Sequence, residues 1–311
     1  MSASSRAVLV HLGLHKTATT WLQNTIFADR EWGFATPWSR AEVLERFVLV
    51  DAMRFEAAAT RGEMEPGRRR AEDEGCVAVL SHERLSGNPH SGGYDRREIA
   101  ERLAGAWPEA RVLIVIREQR DMIRSVYRQY LREGGALSLR RYLSPPRQGA
   151  ARAPAFDPAF FEYDVLITYY QRSFGPERVL VMPYESLSED PHAFVSAIAR
   201  FAGAEGEGSI RFERENVALS DVALLVKRPL NRLFVRDRIN PTGMFSSPRF
   251  HAGLTRVLEL GERAVPRSLH HARSQAWEKE IEERIGTFYA ESNRRTGSLT
   301  GLDLEAFGYP T

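Results

Sequence analysis

The sequence predicts an α/β fold in which a parallel β-sheet is flanked by helices, with a helical C-terminal third covering one side. Short aliphatic runs alternate with stretches of helical periodicity, and no convincing strand pattern follows Phe212. With 311 residues, 43% of them hydrophobic, the chain can bury a core of that size. One domain over residues 1–311 is therefore expected.

The predicted strands are four short runs of aliphatic and β-branched residues, a composition typical of parallel strands buried on both faces. They are residues 7–12, 77–80, 111–116 and 178–182. Stretches with helical spacing follow them, at 19–28, 94–107, 118–132 and 191–203. Further helices are predicted at 160–174, 222–234 and 277–289. This alternation favours a parallel sheet with helices on both faces.

Three segments show no regular pattern: residues 29–75, 136–158 and 240–273. In open α/β folds such excursions often build the binding cleft at the carboxyl ends of the strands. The middle segment carries four arginines among prolines, Arg140, Arg141, Arg147 and Arg152. We interpret it as a solvated loop, with contact to an anionic ligand as the alternative.

Composition narrows the classes of protein and compartment. The 43 basic and 41 acidic residues nearly cancel, so no nucleic acid partner is indicated. Cys76 is the single cysteine; an intrachain disulfide is excluded, and a buried thiol is expected. The apolar run at residues 7–14 is too short to span a membrane, and no later run is long enough. We expect a cytoplasmic protein without a membrane span.

Residues 11–23 predict an anion site, because a strand runs into a hydroxyl-rich turn and then a helix. Backbone N–H groups at such a turn can surround a phosphate-like group. Lys16 would add a compact positive charge, and Thr17, Thr19 and Thr20 would add hydroxyl donors.

A nucleotide triphosphatase loop is the nearest alternative, but it needs glycines at two places before its lysine. His15 and Val10 occupy those places. The predicted strands also lack a terminal aspartate for magnesium, since they run into Ser81-His82-Glu83 and Arg117. A metal-dependent kinase acting on a nucleotide or small molecule is therefore disfavoured. A non-catalytic nucleotide-binding protein is the other alternative.

The loop resembles that of sulfotransferases that use 3′-phosphoadenosine 5′-phosphosulfate (PAPS), in which it reads close to Lys-(Ser/Thr)-Gly-Thr-Thr-Trp/Leu. The matching positions here are Lys16, Thr17, Thr19, Thr20 and Trp21. The resemblance implies a P-loop-like fold and a 5′-phosphosulfate site to which Gly13 and His15 also belong. Ala18 replaces the usual glycine, and we expect it to keep ordinary helical dihedrals.

Arg117 leaves a predicted strand, and Ser125 follows it on the next predicted helix. This spacing resembles the family's arginine and serine that grip the 3′-phosphate, a contact that suits a guanidinium fork and a hydroxyl. Residues 181–191 resemble a further family stretch, in which Glu185 and Asp190 are interpreted as organising a turn and a helix cap. The family's Arg-Lys-Gly element has no clear copy; possible substitutes are Arg214, Lys227 and Arg228.

Sulfuryl transfer needs charge relief on the departing phosphate and a base for the acceptor hydroxyl. Lys16 suits the first role, and no metal is required. The resemblance implies a base at Glu83 or His82; Glu83 is favoured, with a salt bridge to an arginine as its structural alternative. His11 and His15 are interpreted as packing or loop residues.

The sequence therefore predicts transfer of a sulfuryl group from PAPS to an acceptor hydroxyl. A saccharide or glycolipid acceptor is favoured because of the glutamate base and the arginine-rich loop. The alternative is a small lipophilic alcohol in an aromatic pocket formed by Phe156, Phe160, Phe161 and Tyr163.

Overall fold

The computed structural model describes residues 6–144, 155–212, 219–236, 240, 243–247, 253–258 and 267–311. Its five parallel strands form one sheet in the order β2-β3-β1-β4-β5. The strands are β1 (Leu9–His11), β2 (Phe34–Ala35), β3 (Val77–Ser81), β4 (Arg111–Ile116) and β5 (Val179–Pro183). The predicted parallel sheet is confirmed, and β2 is an additional edge strand.

Helices flank the sheet on both faces. They are α1 (Thr19–Trp21, continued by a π-helical turn, Leu22–Ile26), α2 (Arg40–Leu44), α3 (Ala57–Asp73), α4 (Arg96–Ala106), α5 (Gln119–Arg132), α6 (Leu139–Leu143), α7 (Tyr163–Phe174), α8 (Glu185–Glu189) and α9 (Pro191–Ala202). The C-terminal third contributes α10 (Asp221–Phe234), α11 (253–258), α12 (Arg267–Ile285) and α13 (Ala290–Thr300). Among the described residues after Phe212 no strand occurs, so the predicted helical third is confirmed.

Side chains along the central strand alternate between two cores. Leu9 belongs to the core that α1 and α9 cover, together with Val79 and Val115. Val10 points to the opposite core, which α3, α4 and α7 cover. Burial on both faces explains why these strands are continuously aliphatic.

Strand register brings three strand ends to one edge of the sheet. In β1, His11 pairs with Ser81 of β3 and Leu113 of β4, both in parallel. The segments that leave β1, β3 and β4 therefore emerge side by side, and they carry the predicted anion-binding and base residues.

Two carboxylates fix the neighbouring turns. Glu185 accepts a hydrogen bond from the backbone N–H of Glu118 at 2.9 Å and one from the Tyr309 hydroxyl at 3.0 Å. Asp190 caps α9 by accepting from the N–H of Ala193 at 2.9 Å. The structural interpretation of Glu185 and Asp190 is confirmed.

The predicted burial of Cys76 is also confirmed, since this residue is 3% exposed. Across the described ranges, no helix has the length and apolarity needed to cross a membrane.

Candidate active site

The loop between β1 and α1 has an alternating backbone. Gly13, Lys16 and Ala18 have positive φ angles of 56°, 67° and 56°. Left-handed residues among right-handed ones turn successive N–H groups toward one point, a geometry that suits an anion. The expected helical dihedrals of Ala18 are wrong, since it lies at φ 56°, ψ 20° and α1 begins at the next residue. The tight reversal from strand to helix requires a left-handed residue there, whatever its side chain.

Two of the loop threonines brace the loop itself. The hydroxyls of Thr17 and Thr19 donate to the carbonyl of Leu14 at 2.7 Å and 3.2 Å. Thr17 is fully buried and Thr19 is 7% exposed, whereas Thr20 is exposed. The Thr17 and Thr19 hydroxyls therefore close the turn that carries Lys16, whereas the Thr20 side chain is exposed.

Gly13 brings the loop against the end of β3. A Cβ added there would lie 2.9 Å from Cγ2 of Thr19 and 3.2 Å from the backbone nitrogen of Glu83. Real Cβ atoms are rarely that close to backbone, so the glycine is what permits the contact. Lys16 and Glu83 are thereby brought to the same side of the sheet edge.

Arg117 links the second predicted anion site to the loop. Its Nη1 donates to the carbonyl of Lys16 at 3.2 Å, and its guanidinium lies 5.0 Å from the ring centroid of Tyr184. The Tyr163 hydroxyl donates to the Arg117 carbonyl at 2.6 Å, which holds the chain where β4 ends. Ser125 lies two turns along α5 from this point.

A cavity of about 510 Å³ opens at this edge. It brings together most of the predicted site residues: His15, Lys16, Ala18, Thr19, Thr20, Trp21, Glu83, Arg117 and Ser125. Gly13, Thr17 and His82 do not line it. The lining also includes residues not predicted for the site: Arg128, Gln129, Arg132, Tyr184, Leu187, Phe212, Leu219 and Leu224.

The cavity wall is strongly cationic. Lys16, Arg117, Arg128 and Arg132 face a single lining carboxylate, that of Glu83, among the residues described. The rings of Trp21 and Phe212, both in the wall, stack with centroids 5.2 Å apart. A polyanionic ligand that also carries a flat ring suits this combination.

Glu83 and His82 have different environments at the end of β3. Nη2 of Arg40 lies 2.8 Å from each carboxylate oxygen of Glu83, so the expected alternative of an arginine ion pair is present. Arg84 instead binds Asp95 at 2.9 Å. Nδ1 of His82 accepts the N–H of Arg84 at 3.0 Å, and burial lowers the pKa of His82 below its usual range. His82 is therefore neutral near pH 7, with its proton on Nε2.

The other loop histidines are also neutral. Burial lowers the pKa of both His11 and His15 to about 3. Nδ1 of His11 lies 2.8 Å from the Ser81 hydroxyl, as a packing residue would. No group of three or more histidine, cysteine, aspartate or glutamate residues in the described part of the chain is placed to hold a metal ion.

Other candidate ligand residues lie elsewhere. Lys227 is buried and donates to the Arg132 carbonyl at 2.7 Å, and neither Lys227 nor Arg228 lines the cavity. Arg140 and Arg141 are exposed on α6. Arg147, Arg152 and Arg214 lie outside the described residues. The proposed aromatic pocket residues, Phe156, Phe160, Phe161 and Tyr163, are buried in the core.

Comparison with known proteins identifies the class. The model of the sulfotransferase family matches residues 9–207, and the chain belongs to that family, whose members are enzymes of sulfuryl transfer. A solved structure, the sulfotransferase from Alicyclobacillus acidocaldarius, superposes with a TM-score of 0.47 at 21% identity, over 74% of this chain and 94% of that one. No curated protein matches.

The left-handed conformation of Ala18 gives a stability prediction. A non-glycine residue in this region costs about 1–2 kcal/mol, while glycine costs about 0.4–1 kcal/mol in unfolded-state entropy. We expect Ala18→Gly to raise the free energy of unfolding by about 0.5–1 kcal/mol in urea titrations. Ala41→Gly, at an exposed position within α2, is the control and should lower it by about 1 kcal/mol. A loss at Ala18 equal to that at Ala41 would contradict the argument.

Proposed function

We propose that this enzyme transfers a sulfuryl group from PAPS to a hydroxyl of a saccharide or glycolipid. The observation that carries the proposal is the joining of two predicted anion sites. The Lys16 loop and the Arg117–Ser125 pair line the same cavity, and Arg117 hydrogen-bonds the loop at the Lys16 carbonyl. A nucleotide with charged groups at both its 5′ and 3′ positions can occupy both sites at once.

The predicted cofactor-binding residues have distinct roles in this proposal. The loop N–H groups, Lys16 and Thr20 hold the 5′-phosphosulfate. Arg117 and Ser125 hold the 3′-phosphate. Gly13, Thr17 and Thr19 act indirectly by keeping the loop tight and close to β3. The cationic wall compensates the charge of the bound nucleotide.

The reaction takes one proton from the acceptor and exchanges one bond at sulfur. The acceptor oxygen bonds to sulfur while its proton passes to the Glu83 carboxylate, and the bond between sulfur and the bridging phosphate oxygen breaks. Negative charge then grows on the departing phosphate. The Lys16 ammonium stabilises that charge, and it can supply a proton where an arginine would do so poorly.

Glu83 is the better base of the two candidates. Its carboxylate lines the cavity, whereas His82 does not. His82 has already engaged its basic nitrogen with the N–H of Arg84, and its other ring nitrogen carries the proton. A base must have a free lone pair within reach of the acceptor proton, which favours the carboxylate.

The cavity wall supports a polar acceptor. Charged and hydrogen-bonding side chains such as Glu83, Gln129 and Arg132 line it together with leucines and aromatic rings, and the cluster that includes Phe156 and Phe160 is packed within the core. Saccharide hydroxyls bind through such polar groups, and the aromatic pocket predicted for a lipophilic alcohol does not open to the cavity.

Nucleotide binding tests the proposal. Calorimetry with adenosine 3′,5′-bisphosphate and with ATP, each with and without magnesium, should show magnesium-independent binding of the bisphosphate that is tighter than that of ATP. Magnesium-dependent binding of ATP in its place would support the kinase alternative. Bisphosphate binding without PAPS turnover against extracts of the native organism would support a non-catalytic binding protein.

A further inference from the structure

We infer that Arg128, held in place by Asp221 of α10, provides an additional contact to the 3′-phosphate. The inference rests on the proposed function, because it assigns a further residue to the same nucleotide site. It also gives the helical C-terminal third an indirect part in recognising the nucleotide, through the position of Arg128. The family's Arg-Lys-Gly element has no clear copy in this chain, and Lys227 and Arg228 lie away from the cavity.

Helical spacing places Arg128 beside the predicted phosphate ligand. Ser125 and Arg128 are three residues apart on α5, so their side chains lie on one face. Both line the cavity that Arg117 also lines. A phosphate that contacts Ser125 therefore lies within one helical turn of the Arg128 guanidinium.

Arg128 is positioned by two contacts from the start of α10. Its Nε lies 3.1 Å from Oδ1 of Asp221, and its Nη2 donates to the carbonyl of Leu219 at 2.9 Å. Asp221 is 5% exposed, so its carboxylate is shielded from water. Among the described residues, none accepts a hydrogen bond from Nη1 of Arg128. The guanidinium is thus oriented and keeps a donor for a ligand.

Two arginines share the Asp221 carboxylate. Arg124 also binds Asp221, at 3.3 Å, and reaches Ser274 and Glu278 on α12. Arg124 does not line the cavity, and its contacts tie α5 to α10 and α12. Of the two arginines that share Asp221, Arg128 is the one that faces the ligand.

The test isolates the 3′-phosphate by comparing two nucleotides. Adenosine 3′,5′-bisphosphate and adenosine 5′-monophosphate differ in that group alone, so the Kd of the monophosphate divided by the Kd of the bisphosphate reports its recognition. A hydrogen bond to a charged group is worth about 1.5–3 kcal/mol, so Arg128→Gln should reduce the ratio roughly ten- to hundredfold. The Kd for the monophosphate should change less than about twofold, since its groups do not reach Arg128.

Three further variants separate contact from structure. Arg124→Gln is the matched control, since it removes the other arginine of Asp221, and it should leave the ratio within about twofold of wild type. Asp221→Asn removes no cation from the cavity, but it should still reduce the ratio because Asp221 positions Arg128. Arg128→Lys keeps the charge but loses the fork that can bind Asp221 and a phosphate together, so it should also reduce the ratio.

An unchanged ratio in Arg128→Gln or Arg128→Lys, with thermal unfolding like that of wild type, overturns the inference and leaves the proposed function standing. A reduction in Arg124→Gln as large as in Arg128→Gln also overturns it. Wild-type protein that binds neither nucleotide rejects the proposed function together with this inference.

Discussion

Lys16→Ala is expected to lower turnover of PAPS by about 10³-fold or more. A single donor aimed at developing negative charge is worth about 10²–10³ in rate, and the loss of a general acid adds to this. Lys16 is exposed in the cavity wall, on a loop braced by Thr17 and Gly13. Release of adenosine 3′,5′-bisphosphate from PAPS, with an extract of the native organism as the source of acceptor, measures the effect.

Two variants control this prediction. Lys16→Arg keeps the positive charge but is a poor proton donor, so an intermediate loss of about 10²-fold is expected. Lys279→Ala removes an exposed lysine paired with Glu283 on α12, away from the cavity lining, and should leave turnover unchanged. Turnover of Lys16→Ala within about tenfold of wild type would mean that the leaving group is stabilised elsewhere.

The sheet was largely predictable because its strands are buried on both faces. The run at 111–116 corresponds to β4, Arg111–Ile116, residue for residue. The edge strand β2 was missed, because its two residues, Phe34–Ala35, are too few to show a pattern. Strands inside the sheet are aliphatic because both of their faces are buried. A two-residue edge strand is instead defined by its pairing with the neighbouring strand.

The helix α3 was missed for a different reason. Pro66 and Gly67 lie inside it, and both residues usually mark a break. Gly67 is needed where the helix packs on Trp38, because an added Cβ would lie 2.6 Å from the indole nitrogen. Arg68 adds ion pairs with Glu65 and Glu72 within the helix. Tertiary packing and local charge pairs hold this helix, and neither produces an apolar stripe.

The candidate site likewise contains residues that the local sequence predicts and residues that only the fold brings together. Lys16 was predicted from the turn between a strand and a helix, and Arg117 and Ser125 from a spacing that resembles the family's. Arg40 and Phe212 come from segments distant in sequence, and they meet the site through folding alone. The prediction for Ala18, based on alanine replacing the family's glycine, is wrong because the turn that precedes α1 overrides alanine's preference for helical dihedrals.

Glu83→Gln is expected to lower turnover by about 10²–10⁴-fold while the Kd for adenosine 3′,5′-bisphosphate stays within about twofold. The amide keeps the shape of the side chain and can still accept a hydrogen bond from Arg40, but it cannot take a proton. The matched variant is His82→Asn, whose side-chain oxygen can still cap the N–H of Arg84, and it should retain most activity.

The two variants together decide which residue accepts the proton. Loss in Glu83→Gln with activity kept in His82→Asn assigns the base to the carboxylate that lines the cavity. The reverse pattern would mean that His82 turns its ring in the bound state, giving up the Arg84 hydrogen bond to reach the acceptor. Equal losses in both, with bisphosphate affinity intact, would point to a joint role, since Nδ1 of His82 lies 3.6 Å from Oε2 of Glu83.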